Sequence, residues 1–111
     1  MLTEMWTDYS KTWSQTDEDR HAALAKLVSE DVTYTDPQSN VVGRAAFANH
    51  LAQFQQKMDG AYFEILDVKG HNQKTLAQWR LCNKDGSEMM LGTSFATLTD
   101  DNRFSSFVGF M

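Results

Sequence analysis

Asp36 ends an alternating run, Val32, Tyr34 and Asp36, whose first two members are apolar enough to face a core. A carboxylate that continues an apolar face is costly to bury, and buried acids are common where chemistry needs a shifted proton affinity. Removal of a proton from carbon is the chemistry such a group could perform. Asp36 also precedes Pro37, and Asp-Pro is an ordinary turn starter whose carboxylate caps nearby backbone amides. The pattern leaves both roles open. Tyr9 is the second candidate. It shares helical spacing with Leu2, Met5, Trp6 and Trp13, so its phenol points inward beside two tryptophans. Its hydroxyl then needs a partner, either a backbone carbonyl or the oxygen of a bound substrate. His71, beside a strand end, could move a proton near neutral pH or simply fix its loop by a hydrogen bond.

These residues must be positioned by helices in the first half of the chain and strands in the second. The spacing predicts a helix from about Leu2 to Trp13, a polar break with a weak Thr16–Asp19 capping pair, and a second helix from about Glu18 to Ser29. A strand over Val32–Thr35 stops at Pro37, and a polar turn leads to Gly43. The third helix, about Arg44 to Met58, carries the stripe Phe47, Leu51, Phe54 and Met58. Strands are expected over Tyr62–Val68, Lys74–Asn83, Glu88–Leu98 and Arg103–Phe110, with Lys84-Asp85-Gly86-Ser87 as a hairpin turn. Three helical segments followed by an antiparallel meander indicate an α+β fold, with the helices on one sheet face.

At 111 residues the chain is read as one domain, and 41% hydrophobic with 23% charged residues is ordinary globular composition. The net charge is −5 with no basic run, which argues against nucleic-acid or anionic-membrane partners. Cys82 is the lone cysteine, so no internal disulfide is possible. Neither a signal peptide nor an apolar span is recognised, so a cytoplasmic protein is expected. No His/Cys/Asp/Glu spacing marks a metal, no glycine-rich loop a phosphate, and Gly92 and Gly109 read as turns or strand breaks. No metal or cofactor is expected.

In the fourth expected strand Leu91, Thr93, Phe95 and Thr97 share one face and Met90, Gly92, Ser94, Ala96 and Leu98 the other. Ala77, Trp79 and Leu81 oppose Gln78, Arg80 and Cys82 in the strand before it. Both faces are substantially apolar, so the face left open by the helices is expected to pair with a second copy as a homodimer. Trp79 is either core packing or a stacking platform, and Arg80 is assigned to the outer face.

The order and spacing of Tyr9, Val32-Thr33-Tyr34-Thr35-Asp36-Pro37, Gly43, His71, Trp79-Arg80-Leu81, Asp85-Gly86, Gly92-Thr93-Ser94-Phe95, Asp101-Asn102-Arg103 and Gly109-Phe110 resemble the SnoaL-like branch of the nuclear transport factor two superfamily. That superfamily also contains ketosteroid isomerase, and the resemblance spans essentially the whole chain. It implies a cone: a curved antiparallel sheet whose concave face holds three helices around an internal pocket. It also implies a small apolar ligand and cofactor-free isomerase, cyclase or lyase chemistry. Asp36 matches the catalytic base of ketosteroid isomerase and Tyr9 its oxyanion phenol. The second oxyanion donor falls on Thr93, a departure from the isomerase's protonated acid, with His71 as a further assistant. The implied pocket lining is Trp6, Trp13, Phe47, Leu51, Phe54, Trp79, Leu91 and Phe95. The alternatives are a non-catalytic binding or dimerisation protein of the same fold, and an epoxide hydrolase using Asp36 with Arg80.

Overall fold

A computed structural model describes all residues 1–111. Helix α1 (Leu2–Lys11) runs into a single 3-10 turn at Thr12–Ser14, where the Thr12 hydroxyl donates to the Tyr9 carbonyl at 2.6 Å. The tightened turn keeps Trp13 on the same inward face as Trp6 and Tyr9, and all three are buried. Helix α2 (Asp17–Leu27) is capped by Thr16, whose hydroxyl accepts from the Asp19 amide at 3.2 Å, with three acids in the first turn complementing the helix dipole. Strand β1 (Val28–Asp36) follows directly, then β2 (Ser39–Val42) and helix α3 (Arg44–Lys57). Gly43 enters α3 with φ +94°, a backbone conformation that side chains with a Cβ rarely adopt, and its amide donates to the Val32 carbonyl at 2.7 Å. Strands β3 (Tyr62–His71), β4 (Lys74–Cys82), β5 (Glu88–Leu98) and β6 (Phe104–Phe110) complete the chain.

The six strands form one sheet in the order β2-β1-β6-β5-β4-β3. The sheet is mixed, and this amends the expected all-antiparallel meander: β1 lies parallel to β6, pairing Thr35 with Val108. That pairing joins segments about seventy residues apart with no hairpin to announce it. β2 was expected to be a turn. Its four residues instead fold back on β1, with Asp36 opposite Ser39. Register shifts interrupt β1–β6, β3–β4, β4–β5 and β5–β6, and such bulges bend a sheet around what packs inside it.

The helices fill that bend. Tyr9 stacks on Phe107 with ring centroids 4.3 Å apart, and Trp6 meets Phe104 edge-on at 5.1 Å. Such pairs contribute about 0.5–1.5 kcal/mol each beyond their buried area. Trp6 Nε1 donates to Thr75 Oγ1 at 3.2 Å, and Thr75 passes its own proton to the Ala96 carbonyl at 3.0 Å, which ties α1 to β4 and β5. Arg20, 1% exposed, fastens the helices to one another. Its Nε donates to the Thr12 carbonyl at 2.9 Å, Nη1 to Asp17 at 2.6 Å, and Nη2 to the Gln15 carbonyl at 2.6 Å and to Gln55 on α3. No helix is long and apolar enough to cross a membrane.

Candidate functional site

Between the helices and the inner sheet face lies a cavity of about 240 Å³. Its walls come from Trp6, Tyr9, Ser10 and Trp13 of the first helical segment, Tyr34 of β1, Phe54 and Met58 from the α3 end, and Phe63, Ile65, Trp79, Leu81, Met90 and Ser94 of β3 to β5. Gln38 and Met111 stand at its margin. The volume lies below the roughly 300–1,000 Å³ typical of drug-sized ligand sites, so it suits a compact, largely apolar molecule.

Two hydroxyls face this space with their protons uncommitted. An indole N–H only donates, so a hydroxyl bonded to it serves as acceptor there. Trp13 Nε1 donates to the Tyr9 hydroxyl at 3.1 Å, and Trp79 Nε1 donates to Ser94 Oγ at 2.9 Å. Neither hydroxyl has a protein acceptor for its own proton, in contrast to Thr75, which hands its proton to Ala96. Tyr9 and Ser94 are therefore poised to donate to a ligand oxygen. Burial, chiefly, pushes the Tyr9 phenol above its ordinary range; the Trp13 bond opposes this and the nearby Asp36 charge adds to it, so Tyr9 acts as a neutral donor.

Asp36 is half-buried behind two residues of the cavity lining and is not itself part of that lining. Its Oδ2 accepts from the Tyr34 hydroxyl at 2.7 Å and its Oδ1 from the Gln38 amide at 2.9 Å, and both donor residues border the cavity. The Gln38 bond is the backbone capping expected of an Asp-Pro turn. One lone pair on each oxygen stays available. Burial first, then charge repulsion from Tyr9 and the bond to and charge of Asp36, raise the Tyr34 phenol well above its ordinary range, which keeps it a hydrogen-bond donor.

His50, on α3, completes the group, with its ring 5.2 Å from that of Tyr34 and 6.0 Å from that of Trp13. Desolvation is the largest cause lowering its pKa from 6.5 and Lys57 adds to it, while the Asp36 charge opposes both. It therefore carries a neutral imidazole at neutral pH. Tyr34, His50, Gln38 and Ser94 were not picked out as site residues. The alternation that placed Tyr34 inward and Ser94 opposite Thr93 was the available signal for two of them; nothing marked His50.

The other expected site residues are dispersed. Trp6, Trp13, Phe54 and Trp79 line the cavity. Phe47 and Leu51 are fully buried behind it, in the core that supports Tyr9 and Tyr34. Thr93 and Leu91 face outward, because the inner face of β5 belongs to Ser94 and Met90; Thr93 pairs with Gln78 and Phe110. Phe95 shares that outer face, opposite Leu76 and Val108. His71 is exposed at the end of β3, an edge strand on the far side of the sheet from β1, where Asn72 bonds its ring at 3.0 Å. Thr93 and His71 are thus too misplaced to assist Asp36 and Tyr9. Arg80 pairs with Glu64 at 2.9 Å on the outer face, away from Asp36. No three His, Cys, Asp or Glu side chains gather where they could hold a metal ion.

Among solved structures, the chain is similar to a protein from Agrobacterium tumefaciens provisionally named an isomerase of the SnoaL-like family, with 26% identity and a TM-score of 0.91 over 97% of this chain and 94% of that one. It shares its fold with a protein from Sinorhizobium meliloti provisionally named a polyketide cyclase, at 17% identity and TM-score 0.77 over 96% and 93% of the two chains. A protein of ketosteroid isomerase-like fold from Catenulispora acidiphila, solved in complex with trimethylamine, aligns at 17% identity and TM-score 0.74 over 97% and 85%. No curated protein matches by sequence. The family model for the SnoaL-like domain matches residues 6–106, and with the cone-like fold and its internal cavity in place the chain belongs to the SnoaL-like family.

Proposed function

We propose that this protein is a cofactor-free isomerase, cyclase or lyase acting on a compact apolar carbonyl compound. The observation that carries this is a carboxylate with free lone pairs bonded to Tyr34 and Gln38 of an apolar cavity's lining, close enough for its charge to act on Tyr9, whose uncommitted proton faces that cavity. Asp36 removes a proton from the carbon beside the carbonyl; Tyr9, already held in place by Trp13, donates to the oxygen as negative charge develops on it. Large polyketides and four-ring steroids are disfavoured by the cavity volume. The SnoaL-like family and the isomerase name of the Agrobacterium protein support this class of chemistry.

The test is proton exchange in heavy water on a panel of small ketones, enones and β-dicarbonyls, followed by NMR for wild type and Asp36→Asn. Exchange with wild type and its loss in the variant is the expected result; no exchange across the panel, with both proteins folded, overturns it. The double engagement of Asp36 by Tyr34 and Gln38 favours one alternative, a binder that uses the same cavity without chemistry. The proposal extends to a cytoplasmic homodimer. Leu66, Leu76, Leu91 and Phe110, between 43% and 60% exposed on the outer sheet face, supply the apolar surface for a second copy.

A further inference from the structure

The aromatic residues of this protein fall into two arrangements. In the core they stack: Tyr9 on Phe107, Phe107 on Phe47 and Phe47 on Tyr34 meet at 15° to 28°, so their faces are spent on one another. The rings around the cavity stand steeply instead. Trp13 meets Phe54 at 88° and Phe63 at 62°, and Phe63 meets Trp79 at 85°, each pair with centroids 5.1 Å apart. All four line the cavity, and rings inclined in this way keep faces for what it holds. The polar edges of the two indoles are already used, on Tyr9 and Ser94, so a π face is what each has left for a ligand.

An aromatic face carries partial negative charge and attracts a cation within about 6 Å of its centroid, indole most strongly. The charges around the cavity act in the same direction. No Lys, Arg or His lines it, and Asp36, held by the neutral donors Tyr34 and Gln38, enters no ion pair. The Asp36 charge acts through the lining on Tyr9 and Tyr34. Lys57, the cation that acts on neighbouring His50, is exposed, where water and salt screen it. The lining also selects among cations. It contains no carboxylate, and its Tyr9 and Ser94 hydroxyls already accept from the indoles. An ammonium with N–H groups needs acceptors there, whereas a fully alkylated one needs none. An oxygen carried beside the cation can in turn accept the free proton of Tyr9 or Ser94.

We propose that the cavity binds a compact quaternary ammonium group, its methyls against the faces of Trp13, Phe63 and Trp79 and its charge balanced by Asp36. This goes beyond the proton-transfer function proposed above and stands without it.

Choline and 3,3-dimethylbutan-1-ol have nearly the same shape, and only choline is charged. Their binding to wild type, Phe63→Leu and Asp36→Asn is measured by calorimetry, and the choline methyl resonance is followed by NMR. Choline should bind wild type about fivefold or more tighter than the alcohol, with its methyl resonance moved upfield by the ring faces. Phe63→Leu keeps an apolar wall without the π face, and Asp36→Asn removes the charge at nearly constant shape. Each should cut the preference for choline about two- to fivefold. The alcohol binding as tightly as choline overturns the proposal, and so does failure of both to bind. A preference unchanged in both folded variants overturns it too, because the faces and the carboxylate are then not its source. If a variant does not fold, the wild-type comparison decides alone. Deuterium uptake by small ketones is read separately: exchange without a choline preference leaves the proposed function standing and removes the ammonium site, and a choline preference without exchange does the reverse.

Discussion

Gly92→Ala is the sharpest test of how the cavity wall is built. A Cβ at Gly92 would overlap Cζ2 and Cη2 of Trp79 and sit 2.7 Å from Cε2, so it meets the flat of a rigid ring and not the end of a flexible chain. The indole has to lift. In lifting it gives up the 2.9 Å bond to Ser94, about 1 kcal/mol, and the edge-on contact with Phe63 at 5.1 Å, about 0.5–1.5 kcal/mol. Strain from overpacking adds about 1–3 kcal/mol. A loss of about 3 kcal/mol is expected, a large share of the roughly 5–15 kcal/mol that holds a domain of this kind together. Urea unfolding followed by tryptophan emission and far-ultraviolet circular dichroism measures it. The midpoint should fall with an unchanged slope, and native emission should shift to the red as the indole meets water. Gly109→Ala is the internal comparison: its added Cβ finds only ordinary contacts beyond the Met111 methyl, and less than about 1 kcal/mol is expected. A Gly92→Ala protein within 0.5 kcal/mol of wild type, with unshifted emission, would refute this account of the wall.

Arg20→Leu should cost about 2–4 kcal/mol in the same assay, because it strips the Thr12 and Gln15 carbonyls of their donor in a dry site; Arg20→Lys should recover only part, lacking the fork that reaches both. NMR titration should give His50 a midpoint below 6.5, lower still in Asp36→Asn and higher in Lys57→Ala, since the Asp36 charge raises it and the Lys57 charge lowers it. Because that value is depressed by folding, His50 supports stability above its ordinary pKa and withdraws it as pH falls through the folded value. His50→Gln should flatten this part of the melting-temperature profile between about pH 7 and 5, and an unchanged profile would remove His50 from the buried cluster. Sedimentation of Leu91→Glu and Phe110→Glu should show monomers where wild type shows dimers; identical sedimentation would place any pairing elsewhere.

Local pattern determined much of this protein. Helical spacing carried Trp6, Tyr9 and Trp13 onto one buried face, and alternation put Tyr34 and Asp36 inward and separated Ser94 from Thr93, because side-chain direction follows from backbone geometry within a few residues. The SnoaL-like motifs supplied the cone. What local pattern could not reach were relations between segments distant in sequence. The parallel seat of β1 beside β6 decides that Asp36 neighbours Gly109, and no turn residue encodes it. Placing Thr93 in the site required aligning β5 by one family residue, and a one-residue shift in a strand exchanges its faces, which is why Ser94 faces the cavity and Thr93 does not. Gly92 and Gly109 look alike as letters in strands. Only packing makes one the floor beneath an indole and the other a space shared by the Met111 methyl, Asp36 Cβ and Ser94 Oγ, since the meaning of a missing side chain lies in what its neighbours do with the space.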